Sequence, residues 1–514
     1  SSAAHFYGKP IASAEAFTGS RYYHCFADQK NSADYAYAFG VNEFVLCASA
    51  YQPWIDKYPG STAGGKHYCL NRNNTYWEYS RPFWDYQARC SALMRKGVPV
   101  VDICVYLGQN PPVKLVTYRL PEIPEGYDFD VCTAEALVGR TMAVDGRLTL
   151  PTGISYSLLV IQRNNDMPLH VLRHIAGLVK GGVIVCGPRP DGSDSLKNKA
   201  ESEEYRALVD ELWGELTTVS QIRKVGKGKI YENIPLSEVL KYENIRPDIA
   251  IKSGNTAKDK VYFVHRRLSD ADVYFLNNHS DRAFHDTVRL RTDARQAEYW
   301  DAVTGQRYMI PVKASGEKGM LLNLTLAPRE SGFIVTSNNQ ATGLLPIIAD
   351  VQETITPIEG SWNVYFDPRW GGPGKVVFDE LIDWTVHADT GIRYYSGTAV
   401  YHKELNLAMP AQNERLLLRF PRLGSLARVW VNGKEVVTVW CSPWEADITS
   451  YVHEGKNNLK IEVVNSLMNR MIGDASLPES ERFTYAYPQI ATPTDKLVPS
   501  GIMEQLNLVY RQCQ

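Results

Sequence analysis

The feature that most constrains this chain is a change of pattern near residue 245 of its 514 residues. Before that point, short apolar runs alternate with helical stretches, which is typical of parallel α/β layers. After it, nearly every segment reads as a short strand between turn residues, which is typical of antiparallel sandwiches. The length of the chain predicts three to four domains. We therefore predict a multidomain α/β plus β protein.

The first segment, residues 1–115, contains three apolar runs that we interpret as buried parallel strands. These runs are IASAEAF (11–17), EFVLCASA (43–50) and VPVVDICVYLG (98–108). Helix-like stretches around 32–39 and 79–96 separate them, which predicts βαβ units. In a (β/α)8 barrel such strands carry the chemistry at their carboxyl ends. Only three of the eight strands of a barrel are present in this segment, so it accounts for only part of one.

The second segment, residues 116–245, predicts a small α/β layer domain. The runs 158–161 and 183–186 are wholly apolar and read as parallel strands. A helix over 168–180 has proline in its first turn and two glycines after its end. A second helix repeats apolar residues at i, i+3, i+4 and i+7 from Tyr205. Together these elements predict helices packed against a parallel sheet.

The last two segments predict two antiparallel domains. Residues 246–342 are strand-like throughout and predict a β-sandwich, with a hairpin marked by a Thr-Gly pair at 304–305. Residues 343–514 contain Asn432-Gly433 between two apolar runs, a strong signal for a type I′ hairpin. The half-buried alternation of the following strand and the many tryptophans favour a jelly roll.

Charge, hydropathy and cysteine spacing exclude several classes of protein. The 55 Lys and Arg against 57 Asp and Glu give a net charge of −2. The sequence has no run of basic residues, so its charge gives no indication that it binds nucleic acid or a membrane surface. The sequence contains no stretch of about 18 apolar residues, so no transmembrane helix is predicted. The nine cysteines include no CxxC pair, which argues against a zinc ribbon. We interpret the cysteines as small buried side chains, and the alternative that one or two disulfides form stays open.

Motifs along nearly the whole chain resemble two families of carbohydrate-active enzymes. The stretch from VWVNGKEV to NSLMNRMIGD resembles the sugar-binding jelly roll of glycoside hydrolase family 2. HFYGKPIASAEAFTG, AFGVNEFVL, YQPW, GVPVVDICVYLGQ, LTLPTGISYSLLVI, VCGPRP and LAPRESGFIV, in this order, resemble glycoside hydrolase family 106, the α-L-rhamnosidases. The resemblance implies that residues 1–115 are the C-terminal part of a catalytic (β/α)8 barrel. It likewise implies that residues 343–514 form a galactose-binding-like jelly roll.

The resemblance also implies the reaction, which is inverting hydrolysis of terminal α-L-rhamnosyl residues by two carboxylic residues. One protonates the leaving oxygen and the other activates water, which requires about 6.5–9.5 Å between them. Glu15 in ASAEAFT matches one of these positions, and an acid at the end of an apolar strand is a candidate in its own right. The alternative for Glu15 is a buried acid paired with Arg or Lys. We favour the role of base over that of acid.

The second catalytic carboxylate of the family lies on an earlier strand, and residues 1–14 contain no match for it. We therefore expect an N-terminal half of the same polypeptide to supply it. Glu43 is not a substitute, because it lies at the start of its strand. The strands of a β/α barrel carry the chemistry at their other end.

Candidate substrate-binding residues follow the strands and lie in the aromatic-rich loops. They are Tyr51, Gln52, Trp54, Trp77, Trp84, Asp102 and Tyr106. Tyr and Trp present flat apolar faces that suit sugar rings, and core packing is the alternative for each. Asp102 is a candidate for a sugar hydroxyl or a metal, with a paired acid as its alternative. The family often has histidine where Cys47 and Tyr51 stand here, and a neutral thiol binds a hydroxyl or a metal poorly.

The resemblance implies calcium as a cofactor. No DxDxDG loop is present, so a site would be assembled from scattered oxygen atoms. His24 and His67 are weaker candidates for a ligand role.

Two other functions stay open. One is a non-catalytic carbohydrate-binding protein, and the other is a β-galactosidase of the family 2 type. Enzymes that cut rhamnose-containing glycans usually work outside the cytoplasm, so we expect a periplasmic or extracellular location. The expected partner is a carbohydrate substrate, with no nucleic acid and no membrane.

Overall fold

The fold combines one α/β sheet with two antiparallel sandwiches, which confirms the predicted multidomain α/β plus β class. The computed structural model describes residues 1–47, 49–62, 70–108, 120–162, 167–190, 192, 198–216, 219–254, 260–339 and 352–512. The predicted boundaries near 115 and 342 lie outside these ranges. Within them, no helix is long and apolar enough to cross a membrane.

The N-terminal region is built around one short parallel sheet. Its elements are α1 (Ser2–Tyr7), β1 (Ser13–Ala16), α2 (Phe26–Ala38), β2 (Glu43–Leu46), β3 (Pro59–Ser61) and α3 (Arg81–Met94). Strands β1 and β2 are parallel with Glu15 opposite Val45, as the βαβ pattern predicts. The prediction that both strands are buried is wrong for this chain. Val45 is 57% exposed, because within the described residues β1 and β2 pair only with each other.

The α/β unit follows and is built around a six-stranded sheet. Its elements are β4 (Val98–Pro99), β5 (Ile103–Tyr106), β6 (Phe129–Cys132), α4 (Ala134–Arg140), β7 (Met142–Val144), β8 (Arg147–Thr149), β9 (Ser155–Tyr156), β10 (Leu158–Ile161), α5 (Leu169–Lys180), β11 (Ile184–Cys186), α6 (Lys199–Trp213), β12 (Gln221–Val225), β13 (Gly228–Glu232) and α7 (Leu236–Tyr242). The sheet order is β12-β13-β11-β10-β5-β6. All of these pairs are parallel except β12 with β13.

The assignment of 98–108 to the same sheet as the first two runs is wrong. Strand β5 pairs with β10 and β6, while β4 pairs with the sandwich strand β15 (Val261–Arg267). The physical reason is that all four residues of β5 are buried, so the strand needs cover on both faces. Cys104 packs in the cluster that contains α5, and Val105 packs in the cluster that contains α7. The β1–β2 pair does not offer such cover.

Two antiparallel sheets form the β-sandwich that follows. Its remaining strands are β14 (Ile249–Ile251), β16 (Ala271–Asn278), β17 (Phe284–Leu290), β18 (Gln296–Trp300), β19 (Arg307–Ile310), β20 (Val312–Ala314), β21 (Met320–Leu326) and β22 (Ser331–Ser337). The sheets run β14-β17-β21-β20 and β19-β18-β22-β16-β15-β4. The predicted turn at Gly305 joins β18 to β19 and is confirmed, with φ of 78° at the glycine.

The C-terminal region is a second sandwich. Its elements are β23 (Glu353–Pro357), β24 (Trp362–Phe366), β25 (Gly374–Phe378), α8 (Thr390–Arg393), β26 (Thr398–Leu407), β27 (Glu414–Arg419), β28 (Leu423–Gly424), β29 (Leu426–Val431), β30 (Lys434–Val439), β31 (Glu445–Asp447), β32 (Gly455–Val464), α9 (Met468–Asp474), β33 (Tyr485–Tyr487), β34 (Gly501–Ile502) and β35 (Asn507–Gln512). Its main sheets run β23-β35-β27-β31 and β25-β24-β26-β32-β29-β30. Asn432 and Gly433 both have positive φ, as a type I′ hairpin requires, so that prediction is confirmed.

A buried polar cluster fastens the N-terminal region to the first sandwich. Lys30 on α2 places its Nζ atom 2.7 Å from Asp34 Oδ2 and 2.8 Å from Ser331 Oγ on β22. Tyr86 on α3 donates a hydrogen bond to Asp34, and its hydroxyl also lies 2.9 Å from Ser331 Oγ. The helices α2 and α3, which follow β1 and β2 in the chain, are thereby attached to strand β22 of the sandwich.

Candidate active site

Glu15 is exposed near the carboxyl end of β1. Thr18 Oγ1 donates a hydrogen bond to Glu15 Oε1 at 3.0 Å. Phe17 between them has φ of 65°, a left-handed conformation that is rare for a bulky side chain. Within the described ranges Glu15 forms no ion pair, so the alternative of a buried, paired acid does not describe it. The turn after β1 instead returns a hydroxyl group to the carboxylate.

The end of β2 lies beside the end of β1. Cys47 N donates to Ala16 O at 3.1 Å, so the loop after β2 begins next to Phe17. Cys47 is half-buried, and Tyr51 further along this loop is 82% exposed. The two positions at which the family often has histidine therefore belong to the loop that starts beside the strand of Glu15.

Gln52 holds the loop together rather than pointing free amide atoms outward. Its Nε2 donates to Pro59 O at 3.1 Å and to Ser61 O at 2.7 Å. Its Oε1 accepts from Ser61 N at 2.9 Å. The amide thus fixes β3, which in turn pairs with β33 of the C-terminal sandwich. These contacts indicate that Gln52 shapes the loop.

Trp54 belongs to an aromatic group that includes a residue the sequence did not single out. Its ring lies edge-on to Tyr485, with ring centroids 5.0 Å apart. Lys57 Nζ lies 4.1 Å from the Tyr485 ring centroid and 5.4 Å from that of Trp54. The C-terminal sandwich therefore contributes a tyrosine beside the loop that follows β2. Parallel pairing of β3 with β33 is the cause, and nothing local in the sequence indicates it.

Two further tryptophans flank the start of α3. Trp77 is 40% exposed, whereas Trp84 is half-buried, with its ring centroid 4.9 Å from that of Phe83. Trp84 packs against the hydrophobic cluster of the N-terminal region, as its core alternative describes. Trp77 keeps a face open to solvent.

Asp102 and Tyr106 belong to the α/β sheet and not to the sheet of Glu15. Asp102 precedes β5 instead of ending it, and Arg291 binds both of its carboxylate oxygens, at 2.9 and 2.7 Å. Ser157 also donates to Asp102 Oδ1 at 3.1 Å. The paired-acid alternative is the one the structure shows. Tyr106 is fully buried in the core that contains α5. The sequence pattern placed both residues wrongly, because it assigned β5 to the barrel.

The described residues offer little to a metal ion. They contain no group of three or more His, Cys, Asp or Glu side chains that is arranged to hold one. His24 Nδ1 accepts a hydrogen bond from Arg21 N at 2.9 Å, which is a local turn contact. His67 lies outside the described residues. Calcium therefore stays a prediction from the family resemblance.

Most cysteines act as small buried side chains, as the spacing predicts. Among the described residues all seven are free thiols, and five are buried: Cys90, Cys104, Cys132, Cys186 and Cys441. Cys69 and Cys513 lie outside the described ranges.

Two open clefts lie elsewhere in the molecule. One of ≈ 1100 Å³ lies between the α/β unit and the first sandwich, and one of ≈ 1480 Å³ lies between the two sandwiches. Glu15 lines neither cleft, and of the predicted site residues only Asp102 lines one. Glu15 is exposed on β1, and the outer sides of β1 and β2 are unpaired within the described ranges.

The family assignment follows from residues 1–313, which match the model of glycosyl hydrolase family 106, described as alpha-L-rhamnosidase. That match covers more than half of the 514 residues. The chain belongs to glycoside hydrolase family 106, the α-L-rhamnosidases. Residues 349–510 match the sugar binding domain of glycosyl hydrolases family 2. Both resemblances drawn from the sequence motifs are thereby confirmed.

Two relatives show how much of the family's length is present. The solved rhamnosidase from Novosphingobium sp. PP1Y is 28% identical, with a TM-score of 0.89 over 99% of this chain and 48% of that one. A curated protein of Formosa agariphila, named "Putative beta-glucuronidase", is 24% identical over 93% of this chain and 59% of its own length. This rhamnosidase-family chain thus spans about half to three-fifths of the relatives it matches.

Proposed function

We propose that this chain provides part of the catalytic domain of an inverting α-L-rhamnosidase that removes terminal α-L-rhamnosyl residues from a polysaccharide or oligosaccharide. The observation that carries the proposal is the position of Glu15. Its motif ASAEAFT resembles the motif around a catalytic carboxylate of this family, and Glu15 is exposed near the carboxyl end of a parallel strand. That end of a strand is where β/α barrels carry their chemistry.

Glu15 is assigned the role of general base. A base must approach a water molecule, and the Glu15 side chain is exposed and oriented by the Thr18 hydroxyl at 3.0 Å. In an inverting enzyme the acid lies on the other side of the sugar ring, about 6.5–9.5 Å away, so that water fits between. We assign this acid to a part of the polypeptide beyond these 514 residues, because the matched rhamnosidase is about twice as long.

The substrate contacts in this proposal come from the loop after β2. Tyr51 is almost fully exposed, and Trp54 together with Tyr485 and Lys57 forms a mixed aromatic and cationic group. Sugar rings present C–H faces to aromatic rings and hydroxyl groups to polar atoms, which suits such a group. Trp77, with its open face, is a further contact. Calcium as a cofactor is proposed from the family resemblance alone. The location stays a proposal, periplasmic or extracellular, which follows from a glycan substrate.

A panel of aryl glycosides tests the substrate class on the full-length polypeptide. The panel holds the α-L-rhamnoside, the β-D-glucuronide and the β-D-galactoside of the same phenol. We expect hydrolysis of the rhamnoside, with NMR showing β-L-rhamnose as the first product because the configuration is inverted. Hydrolysis confined to the glucuronide or the galactoside would overturn the substrate class. α-L-Rhamnose as the first product would overturn the inverting mechanism.

A non-catalytic carbohydrate-binding protein is the second candidate function. It is favoured by Cys47 and Tyr51 at two positions often occupied by histidine, and by the sugar binding domain matched at 349–510. Binding of rhamno-oligosaccharides by the full-length polypeptide without any turnover would select it over hydrolysis.

A further inference from the structure

The cleft between the α/β unit and the first sandwich is rich in arginine. It opens between the start of β5, the β8–β9 hairpin and the sandwich strands β16, β17 and β22, and its volume is ≈ 1100 Å³. Five arginines line it: Arg147, Arg246, Arg267, Arg289 and Arg291. They come from both sides of the cleft, so a ligand between the two units would meet several guanidinium groups at once.

The buried acids of this cleft are already paired. Asp102 is held by both Nη atoms of Arg291. Asp272 accepts a hydrogen bond from Arg267 Nε at 3.0 Å. Glu243 forms an ion pair of 2.7 Å with Lys229. Each of these three carboxylates is therefore held by a partner that the protein itself supplies.

Three of the arginines form no hydrogen bond or ion pair with a carboxylate among the described residues. Arg246 Nη1 donates to the backbone carbonyl of Glu317, and Arg289 Nη1 donates to that of Lys318 at 3.3 Å. Both are exposed guanidinium groups held by carbonyl oxygens of one turn, between β20 and β21. Hydrogen bonds to carbonyl groups fix the orientation of these side chains and leave their charge free for a ligand.

Arg147 is the most constrained of the three. Its Nε donates to Ser155 Oγ at 3.0 Å and its Nη2 to Ser155 O at 2.9 Å, so one edge of the guanidinium is fixed. Nη1 makes no hydrogen bond within the described ranges and is the donor that remains. Burial lowers the pKa of this guanidinium, the negative charge of Asp102 raises it, and the positive charges of Arg291 and Arg267 lower it.

We propose that this cleft is an accessory binding site for an anionic saccharide, which Arg147, Arg246 and Arg289 recognise through its carboxylate or sulfate group. Guanidinium forks match the geometry of such oxyanions. The remaining acids of the lining, Asp270, Asp293 and Glu317, are exposed and supply acceptors for sugar hydroxyl groups. The saccharide class rests on the proposed function, since the anion alone does not specify a sugar. The site is separate from Glu15, which does not line it.

Equilibrium binding to the full-length polypeptide tests this site with three trisaccharides. The probes are trigalacturonic acid, sulfated maltotriose and neutral maltotriose, measured by titration calorimetry at low and at moderate salt. We expect at least one anionic probe to bind 10-fold or more tightly than maltotriose, and to weaken as salt rises. Preference for one of the two identifies carboxylate or sulfate as the recognised group. Binding of neither anionic probe, or equal binding of all three, would overturn the site.

Matched variants locate the binding. Arg147→Gln combined with Arg289→Gln is expected to weaken binding of the anionic probe at least 10-fold. Arg206→Gln combined with Arg482→Gln removes the same charge from exposed positions outside the cleft and is expected to leave binding unchanged. Arg289→Gln alone, at an exposed position, covers the case in which the Arg147 change disturbs folding. Unchanged binding in the cleft variants would overturn the proposal. Hydrolysis of an aryl α-L-rhamnoside by the wild type is measured in parallel. Absence of hydrolysis contradicts the proposed function, whereas hydrolysis without binding of the anionic probes contradicts only the cleft site.

Discussion

The turn after β1 is the residue-scale feature that most directly concerns the chemistry. Phe17 adopts a left-handed backbone at φ of 65°, which costs about 1–3 kcal/mol for a side chain of this kind. Its ring packs against Phe44 and Phe83, with centroids 5.8 and 6.2 Å away, and this packing offsets part of the cost. The strained turn brings the Thr18 hydroxyl to Glu15. Backbone strain of this kind is often found where a functional group has to be held in place.

Thr18→Val tests whether this hydrogen bond positions Glu15. The substitution keeps the size of the side chain and removes the donor. We expect kcat for an aryl α-L-rhamnoside to fall about 5-fold, the equivalent of one hydrogen bond of roughly 1 kcal/mol. Thr18→Ser retains the hydroxyl and is expected to keep most of the rate, which separates positioning from general loss of structure. Equal rates for Thr18→Val and the wild type would show that the contact has no role in the reaction.

At the scale of elements, a buried charge network joins the end of the α/β unit to the first sandwich. The side chain of His265 on β15 is 0% exposed and lies between two carboxylates. Its Nδ1 is 2.9 Å from Asp248 Oδ2, before β14, and its Nε2 is 3.0 Å from Asp272 Oδ1 on β16. The Tyr274 ring stacks on the imidazole at a centroid distance of 4.0 Å, and Arg291 Nε lies 3.2 Å from Asp248 Oδ1. Two flanking acceptors require both ring nitrogens to donate, which only the imidazolium does.

This network predicts a loss of stability as the pH rises. Burial alone would lower the pKa of His265, but the carboxylates of Asp248 and Asp272 outweigh it and raise the pKa above the ordinary value. The stabilisation is therefore full below about pH 6.5, the pKa of an unfolded histidine, and is lost as the pH rises through the higher folded value. On the acid side, Asp272 has a pKa lowered to about 2, so its contribution is full above about pH 3.9, the pKa of an unfolded aspartate, and is lost as the pH falls toward the folded value.

Thermal unfolding of His265→Gln across pH 5 to 9 measures this effect. Removing the cation leaves two buried carboxylates facing a neutral amide, which costs about 3–5 kcal/mol near pH 6. We expect the difference in unfolding midpoint between wild type and variant to shrink above pH 6.5. His285→Gln, at an exposed histidine of the same sandwich, is the control and is expected to show no such trend. A difference that stays constant with pH would contradict a charged His265.

The scale of elements also shows what local sequence decides. The proline at its start and the two glycines after its end predicted α5 correctly, and Leu172, Ile175 and Val179 on this helix are buried. The Asn-Gly pair also predicted its hairpin correctly, because the geometry of the turn depends on two adjacent residues. The run 98–108 was assigned to the wrong sheet, because its burial does not reveal which strands are its neighbours. The apolar character of a segment predicts that it is a strand and that both of its faces are covered. It does not predict which strands pair with it, because those strands are distant in the sequence.

At the scale of the whole molecule, the contacts that sequence could not reveal are the long-range ones. Asp102 meets Arg291 across 189 positions, and no pattern around either residue indicates the other. Tyr485 reaches Trp54 only because β3 pairs with a strand of the C-terminal sandwich. Glu15 was found because a charged residue at the end of an apolar strand is a local anomaly and the surrounding motif matches a family. Thr18 was missed, since a threonine after a strand is unremarkable until the backbone at Phe17 is known.

The whole-molecule account places one catalytic carboxylate on this chain and its complement in the rest of the polypeptide. Glu15→Gln in the full-length polypeptide tests that account most directly, through kcat for an aryl α-L-rhamnoside. Glu43→Gln is the matched control, since Glu43 lies at the start of the neighbouring strand and pairs with Arg95 at 2.8 Å. We predict that Glu15→Gln lowers kcat at least about 100-fold while Glu43→Gln stays near wild type. A Glu15→Gln enzyme that retains the full wild-type rate would contradict the account.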